Sequence, residues 1–352
     1  MILTKTICFK NLFSYTLSLI MVIAITDIQN IFVCPNCHGN FKRISGELIC
    51  FDCSHTYPIV EGIPMFGNVD NKVEDKNREE RQTFWDKGWG KRISTGSQRS
   101  MAEMNKEELV KYIELALEKL KHQKHHLVRE ISSEAVREQT VLDIGCGAGL
   151  QAPILSHYGA NYIGIDLSHN AALQSSKYIA TLEGQGVTAQ ADAEFLPLRS
   201  KCIDNVYSHG VLHHTPNTAS TIAEINRVLK PGGKAIIGLY VTYSPKFIVD
   251  RLLGQFKVFL GKQNFWFNSG EGAWHSAGHH NPWTKTYSKK ELTELFRNYD
   301  YSGLAFRKFS FRWGNCLPPF GKYIDRTIIG QNLANMVSPI LGDIWSIQYT
   351  KG

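Results

Sequence analysis

The fold of this chain is decided at residues 141–149, which read VLDIGCGAG. An apolar run ending in an acid precedes three glycines at alternate positions, and this pattern predicts a strand followed by a tight turn. A glycine turn at the carboxyl end of a first strand lets a ligand come close to the backbone, at the crevice where α/β sheets bind ligands. The stretch therefore predicts an α/β domain that binds a cofactor at this turn.

Short apolar runs alternate with helical patterns after this turn. Such alternation predicts a doubly wound, mainly parallel sheet. Ser168 is predicted to cap a helix reaching about residue 182, and Pro231 with two glycines is predicted to end a helix that begins at Thr218. The predicted strands cover residues 140–144, 162–166, 187–190, 205–209 and 234–240, and two closing strands cover 303–312 and 343–349.

The residues around the glycines discriminate between adenosine cofactors. The dinucleotide fingerprint requires a small residue at position 150, where this chain has Leu150. Asp143 suits a zwitterionic aminoacyl tail better than a pyrophosphate, because its carboxylate could hold a cationic amino group. Asp166 ends the second strand, 21 residues after Gly145, where a carboxylate can accept both ribose hydroxyls. That last feature also fits NAD.

Five motifs in order resemble the class I S-adenosylmethionine-dependent methyltransferases of the type 11 group: VLDIGCGAG, GIDLS, ADAEFLPL, DNVYSHGVLHHTP and EINRVLKPGG. The resemblance covers about residues 140–240 and implies a seven-stranded sheet whose last strand is antiparallel. It implies Asp166 on the ribose, Asp192 and Ala193 beside the adenine, and the turn backbone on the methionine part. The predicted cofactor-binding residues are Asp143, Gly145, Cys146, Gly147, Gly149, Asp166, Leu167, Asp192, Ala193 and Ser208.

Three histidines follow the fourth strand at the same crevice: His209, His213 and His214. S-adenosylmethionine is already activated, so an enzyme mainly aligns the acceptor with its methyl group. A base is needed where the acceptor carries a proton at neutral pH, and these histidines are the candidates. The alternative is that they serve packing or the shape of the cofactor site.

Four of the eight cysteines form two C-x-x-C pairs, Cys34 with Cys37 and Cys50 with Cys53. This set predicts a structural zinc site, because four sulfur ligands leave no coordination position open for catalysis. The alternative is a pair of disulfides in an exported domain. Together with YPIVEGIP at residues 57–64, the stretch resembles the small zinc-ribbon module found with tRNA and protein methyltransferases.

The N-terminus leaves the localisation open. Residues 12–25 are apolar and follow two lysines, so they fit a mis-called start at Met21 or a buried segment, a membrane anchor, or an export signal. Reduced thiolates and an intracellular cofactor favour the cytoplasm, with association to the membrane through this apolar segment as the alternative.

The remaining segments are expected to carry the linker and the acceptor site. Charged residues 70–81 predict a linker or exposed helix. Residues 106–131 predict an amphipathic helix with solvated histidines at 122, 125 and 126. An aromatic segment at 246–284 is interpreted as a substrate lid, or else as an insertion that seals the sheet. Ser288 and Glu291 predict a capping box. The apolar residues 324–341 are interpreted as a core helix, with a membrane-facing surface as the alternative.

These features divide the chain into five predicted parts and leave three candidate functions. The favoured reading is methyl transfer to a small-molecule or lipid-linked acceptor. The alternatives are an RNA methyltransferase, favoured by the ribbon and the net charge of +7, and a non-catalytic cofactor-binding or zinc-scaffold partner of another methyltransferase. The oligomeric state stays open. The parts are a leader (1–30), a zinc ribbon (31–68), a linker and amphipathic helix (69–135), an S-adenosylmethionine-binding core (136–242), and a substrate lid with closing strands (243–352).

Overall fold

The computed structural model describes residues 31–67, 78–94, 99–122, 125–249, 284–317 and 320–352. Within them, a small antiparallel sheet lies at one edge of a large α/β sheet. The small sheet has the strand order β1-β2-β3-β4. Its strands are β1 (Phe41–Ile44), β2 (Glu47–Cys50), β3 (Thr56–Val60) and β4 (Ile63–Pro64).

The large sheet has seven strands in the order β10-β11-β9-β8-β5-β6-β7. Strands β5 to β9 pair in parallel, whereas β11 lies antiparallel between β9 and β10. The predicted seven-stranded, doubly wound sheet with an antiparallel last strand is confirmed. Its strands are β5 (Thr140–Ile144), β6 (Asn161–Asp166), β7 (Gly186–Gln190), β8 (Ile203–His209), β9 (Leu229–Tyr240), β10 (Tyr301–Phe309) and β11 (Ile344–Lys351).

Helices cover the large sheet because its strands are apolar on both faces. Leu142 enters one hydrophobic core and its neighbour Val141 enters a second, as alternation along a strand requires. The helices are α1 (Arg78–Ser94), α2 (Arg99–Ala102), α3 (Lys106–His122), α4 (His126–Glu130), α5 (Ser133–Val136), α6 (Gln151–His157), α7 (His169–Thr181), α8 (Thr218–Val228), α9 (Lys289–Phe296), α10 (Trp313–Cys316), α11 (Gly321–Ile324) and α12 (Ile328–Leu341), with a 3-10 helix at Leu212–His214.

The small sheet joins the large one at strand β7. The backbone N–H of Phe66 donates to the carbonyl oxygen of Gln190 at 2.7 Å. The rings of Phe32 and Phe66 lie 5.3 Å apart and are fully buried in the core that also contains Val187 of β7. The two sheets therefore share one hydrophobic core.

The amphipathic helix predicted over 106–131 is wrong in one respect, because it consists of two helices. Helix α4 has its own N-cap, His125, whose Nδ1 accepts from the backbone N–H of Leu127 at 3.2 Å. A cap satisfies an orphan donor at a helix start. His125 is also not solvated as predicted, since its ring lies 5.3 Å from that of His209.

The core position predicted for residues 324–341 is wrong. Helix α12 leaves its large side chains in solvent: Ile329 is 74% exposed and Met336 is 72% exposed. It packs instead through its small residues Gly330 and Ala334, which are buried. Small side chains allow the helix backbone to approach its neighbours closely.

The predicted association with the membrane is corrected by the structure. In the described part of the chain, no helix combines the length and the hydropathy needed to cross a bilayer, a span of about 20 apolar residues. The apolar run at 12–25 and most of the predicted lid at 246–284 lie outside the described residues. The capping box is present, since Ser288 and Glu291 exchange both hydrogen bonds.

Candidate active site

A cavity of about 240 Å³ opens at the carboxyl ends of β5, β6, β8 and β9. This is the edge at which parallel sheets bind ligands. The wall contains seven of the predicted cofactor residues: Gly145, Cys146, Gly147, Asp166, Leu167, Asp192 and Ala193. His209 and His214 line the same cavity.

Two glycines of the turn leave no space for a side chain. Gly145 has φ +70°, and a Cβ there would lie 2.1 Å from Val211. Gly147 has φ +57°, and a Cβ there would lie 2.6 Å from the indole of Trp89. Only glycine adopts such φ values without strain. The turn backbone is therefore packed directly against Val211 and Trp89, and all four residues line the cavity.

Asp166 lies beside this turn with its carboxylate held by backbone donors. Its Oδ2 accepts from the N–H of Gly147 at 2.9 Å, and its Oδ1 accepts from the N–H of Ser168 at 2.8 Å. Burial raises the pKa of Asp166 to about 6, against the lowering effect of these two donors. The carboxylate that could accept ribose hydroxyls is therefore present above about pH 6 and is lost as the pH falls through that value.

Three predicted cofactor residues do not line the cavity in the described part of the chain: Asp143, Gly149 and Ser208. Asp143 is buried below the turn, where its Oδ2 accepts from the hydroxyl of Tyr162 at 2.9 Å. Burial raises the pKa of Asp143 to about 7, and the hydrogen bond from Tyr162 lowers it. The hydroxyl of Ser208 donates to the carbonyl of Ile144 at 3.0 Å. These contacts support the strands beneath the turn.

Asp192 forms ion pairs at the adenine end of the predicted site. Its Oδ2 lies 3.3 Å from Arg78 Nε and 3.3 Å from Arg81 Nη2, and its Oδ1 accepts from the N–H of Glu194 at 3.1 Å. The guanidinium of Arg78 also lies over the ring of Phe195, 5.4 Å from its centroid. These ion pairs hold helix α1 against the segment that follows β7.

Helix α1 is the part of the site that the sequence prediction missed. Its residues up to Arg81 were predicted to be linker or exposed helix, yet one stripe of the helix lines the cavity or pairs with its wall: Arg78, Arg81, Trp85, Trp89 and Arg92. These residues recur at intervals of three or four, the spacing of one helix face. The stripe was hidden from a hydrophobicity pattern because three of its five residues are arginines.

The three candidate histidines lie in different surroundings. His209 lines the cavity beside His125 and Phe309, and burial lowers its pKa to about 3. His213 lies behind the cavity wall, its ring 3.7 Å from that of Tyr240, and burial lowers its pKa well below the usual value. Both imidazoles are therefore neutral at physiological pH.

His214 combines access to the cavity with an orienting hydrogen bond. Its Nδ1 lies 2.9 Å from the hydroxyl of Thr284. The ring of Trp85, on helix α1, lies 5.2 Å from the imidazole. The hydrogen bond at one ring nitrogen determines which of the two nitrogens carries the proton in the neutral imidazole.

The four paired cysteines form one cluster in the small sheet. Their sulfur atoms all lie within 4.8 Å of one another. Cys34 Sγ lies 3.5 Å from Cys53 Sγ, and Cys37 Sγ lies 3.4 Å from Cys50 Sγ. All four are free thiols, which argues against the disulfide alternative. Four converging sulfur atoms are the donor set of a closed metal site.

Known proteins match two separate parts of this chain. Residues 142–237 match the methyltransferase domain family, and residues 28–62 match the Trm112p-like proteins. An uncharacterized protein of Methanocaldococcus jannaschii is 37% identical over 132 residues, which cover 37% of this chain and 49% of that protein. The ubiquinone biosynthesis O-methyltransferase of Pseudomonas paraeruginosa is 30% identical over 120 residues, 33% of this chain and 50% of that enzyme.

Among solved structures, an S-adenosylmethionine-dependent methyltransferase from Mesorhizobium loti has a TM-score of 0.42 and 16% identity, with 65% of this chain and 98% of that chain covered. The chain spans about half the length of the two curated relatives. The sheet order and the glycine turn define a class I methyltransferase domain. Residues 142–237 belong to such a methyltransferase domain, and a Trm112-like domain with four cysteines, matched at residues 28–62, precedes it.

Proposed function

We propose that the chain transfers a methyl group from S-adenosylmethionine to a hydroxyl or amine of a small-molecule or lipid-linked acceptor. One observation carries this proposal: a single cavity joins the glycine turn and Asp166 to a second end lined by His209, His214 and Tyr240. The first end fits a nucleoside with a flexible tail. The second end lies beyond β8 and β9, where an acceptor would meet the reactive end of that tail.

The cofactor would be held by the residues that the cavity exposes. Asp166 accepts hydrogen bonds from the ribose, and the backbone at Gly145 and Gly147 contacts the methionine part. Bound S-adenosylmethionine supplies an electrophilic methyl group on a sulfonium. Trp89 lines the cavity beside Gly147, where its indole would shield part of the bound cofactor from water.

His214 is the proposed general base. When its Nδ1 donates to the Thr284 hydroxyl, Nε2 keeps a lone pair that can take the proton of the acceptor. The acceptor oxygen or nitrogen then forms a bond to the methyl carbon. The carbon–sulfur bond breaks with its electron pair remaining on sulfur, and S-adenosylhomocysteine leaves. His209 is a poor base, because burial lowers its pKa to about 3.

The acceptor class rests on the shape of this second end and on one relative. Aromatic and imidazole rings surround it: Trp85, His209, His214 and Tyr240. Such a wall suits a planar or amphipathic small molecule rather than a folded nucleic acid. The relative from Pseudomonas paraeruginosa is an O-methyltransferase of ubiquinone biosynthesis, which supports transfer to oxygen on a small molecule.

We also propose that the four-cysteine cluster holds a structural zinc ion. The four sulfur atoms converge within 4.8 Å, and tetrahedral sulfur coordination suits zinc. With all four positions taken by sulfur, the ion would stabilise the small sheet without access to an acceptor.

Replacing His214 with glutamine tests whether this residue is the general base. We expect the turnover number to fall by about 100-fold or more, the range for loss of a general base, while affinity for S-adenosylhomocysteine stays within about twofold. Purified protein, methyl-labelled cofactor and separate extracts of metabolites and RNA provide the assay. The exposed His157→Gln serves as the matched control.

Two outcomes would contradict the proposal. An unchanged turnover number in His214→Gln would show that His214 is not the general base. Methyl label found in RNA and in no metabolite would show that the acceptor is RNA, which is the alternative that the zinc ribbon favours.

A further inference from the structure

Helix α1 contacts the loops that follow three neighbouring strands of the large sheet. It forms ion pairs with Asp192 after β7, and its Trp89 lies against Gly147 after β5. The contact with the loop after β6, the strand between these two, is made by Asp86. That loop begins at Asp166, the proposed partner of the ribose, so Asp86 connects helix α1 to this part of the cofactor site.

The carboxylate of Asp86 accepts two hydrogen bonds from the start of helix α7. Its Oδ1 accepts from the hydroxyl of Ser168 at 2.8 Å and from the backbone N–H of Asn170 at 3.0 Å. The side-chain amide of Asn170 donates in return to the backbone carbonyl of Asp86 at 3.3 Å. Because the first N–H groups of a helix have no partner within that helix, Asp86 supplies the acceptor from helix α1.

Ser168 links Asp86 to the cofactor cavity. Its backbone N–H donates to Oδ1 of Asp166 at 2.8 Å, and its hydroxyl oxygen accepts from the backbone N–H of Ala171 at 3.2 Å. Ser168 is fully buried, so its hydroxyl proton needs an acceptor within the protein, and Asp86 is that acceptor. The hydroxyl oxygen can then cap helix α7 while the backbone N–H of Ser168 stays directed at Asp166.

Asp86 also places a second carboxylate beside the turn that carries Asp166. Burial, followed by the charge of Asp86, raises the pKa of Asp166 to about 6, against the hydrogen bonds donated by backbone N–H groups. The N-terminus of helix α7, which has 13 residues, favours negative charge at this position. Asp86 therefore acts on the orientation of the Asp166 carboxylate and on its charge.

We propose that Asp86 is a positioning residue for the cofactor: it fixes Ser168, and through Ser168 it directs the Asp166 carboxylate at the ribose hydroxyls. Asp86 itself is not among the described residues that line the cavity. This inference rests on the proposed function and adds a residue of helix α1 to it. The role predicts that loss of Asp86 weakens only those ligands that carry ribose hydroxyls, whereas a merely structural contribution would weaken every ligand of the cavity.

Titration calorimetry with S-adenosylhomocysteine and its 2′,3′-dideoxy analogue, which lacks both ribose hydroxyls, separates these two roles. We expect wild type to prefer S-adenosylhomocysteine by at least about tenfold, the effect of hydrogen bonds to a charged group. Asp86→Ala should weaken S-adenosylhomocysteine by about tenfold and the analogue by less than about twofold. Asp86→Asn keeps an oxygen acceptor for Ser168, so it should bind S-adenosylhomocysteine within about threefold of wild type.

Glu80→Gln is the matched control, because it removes an exposed acid from the same helix, and it should keep both affinities. Ser168→Ala breaks the link from its other end and should give the same pattern as Asp86→Ala, so it decides the question if Asp86→Ala does not fold.

Three results would overturn the inference: a wild type that binds both ligands equally, an Asp86→Ala protein that loses affinity for both ligands alike or for neither, and an Asp86→Asn protein that binds no better than Asp86→Ala. Failure of wild type to bind S-adenosylhomocysteine would instead refute the proposed function itself.

Discussion

Replacing Cys34 or Cys50 with serine is expected to remove the bound zinc and to unfold the small sheet. A serine hydroxyl does not replace a thiolate ligand, and three sulfur atoms no longer close a tetrahedral site. Structural zinc sites contribute on the order of 10 kcal/mol to folding in small domains. We therefore expect metal analysis to fall from about one zinc per chain to nearly none in both variants.

The loss should spread into the methyltransferase domain, because the two sheets share a core. Phe66 donates its N–H to Gln190 on β7, and Phe32 is buried in the core that contains Val187. If the zinc ribbon unfolded, the edge of β7 and the part of the hydrophobic core that the ribbon covers would be exposed to water. We expect the thermal transition of the whole chain to shift down by more than 10 °C, as a loss of several kcal/mol implies.

Cys202→Ser provides the matched control. Cys202 is a half-buried free thiol outside the cluster, and its sulfur donates to the carbonyl of Arg199 at 3.0 Å. Serine can make the same hydrogen bond, so zinc content and stability should stay near wild type. Unchanged zinc in both Cys34→Ser and Cys50→Ser would reject the metal site.

Replacing Gly145 with alanine is expected to abolish most of the cofactor affinity. The backbone at this position has φ +70°, and the new methyl group would lie 2.1 Å from Val211. Left-handed backbone costs a residue with a Cβ about 1–2 kcal/mol, and Val211 or the turn must also move. We expect the affinity for S-adenosylhomocysteine to fall by about 100-fold, or ~2.7 kcal/mol, measured by calorimetry.

Two further variants separate the causes of this loss. Gly232→Ala introduces alanine at φ +76°, at a position outside the cavity. Among the described residues, no atom beyond the two chain neighbours would lie within 4 Å of the new methyl group. It should lose stability from backbone strain but keep the cofactor affinity. Val211→Ala combined with Gly145→Ala should recover part of the affinity, since it removes the obstructing methyl groups. Wild-type affinity in Gly145→Ala would show that the cofactor does not approach this turn.

The sheet could be predicted from the sequence because its signal is local. Five apolar runs, with helices predicted after the second and the fourth, match strands β5 to β9, and the two closing strands match β10 and β11. The cap at Ser168 and the capping box at Ser288 were likewise predicted, since such caps depend on one to three neighbouring residues. The cysteine cluster was predicted from spacing alone.

The remaining features depend on contacts between distant segments. Helix α1 lies over the cavity because Arg78 and Arg81 reach Asp192, more than a hundred residues away, and no local pattern marks that pairing. His125 was predicted to be solvated, but its ring contacts His209 and Phe309. Both partners lie on strands far away in the sequence, so no local pattern indicates these contacts. Helix α12 was predicted to be core from its apolar composition, which does not show that Gly330 supplies the packed face.

Titration calorimetry of the wild-type chain with S-adenosylhomocysteine and with NAD tests the central claim most directly. The account predicts binding of about one S-adenosylhomocysteine per chain and no binding of NAD, because Leu150 occupies the position at which the dinucleotide fingerprint requires a small residue. Binding of NAD with no binding of S-adenosylhomocysteine would contradict it.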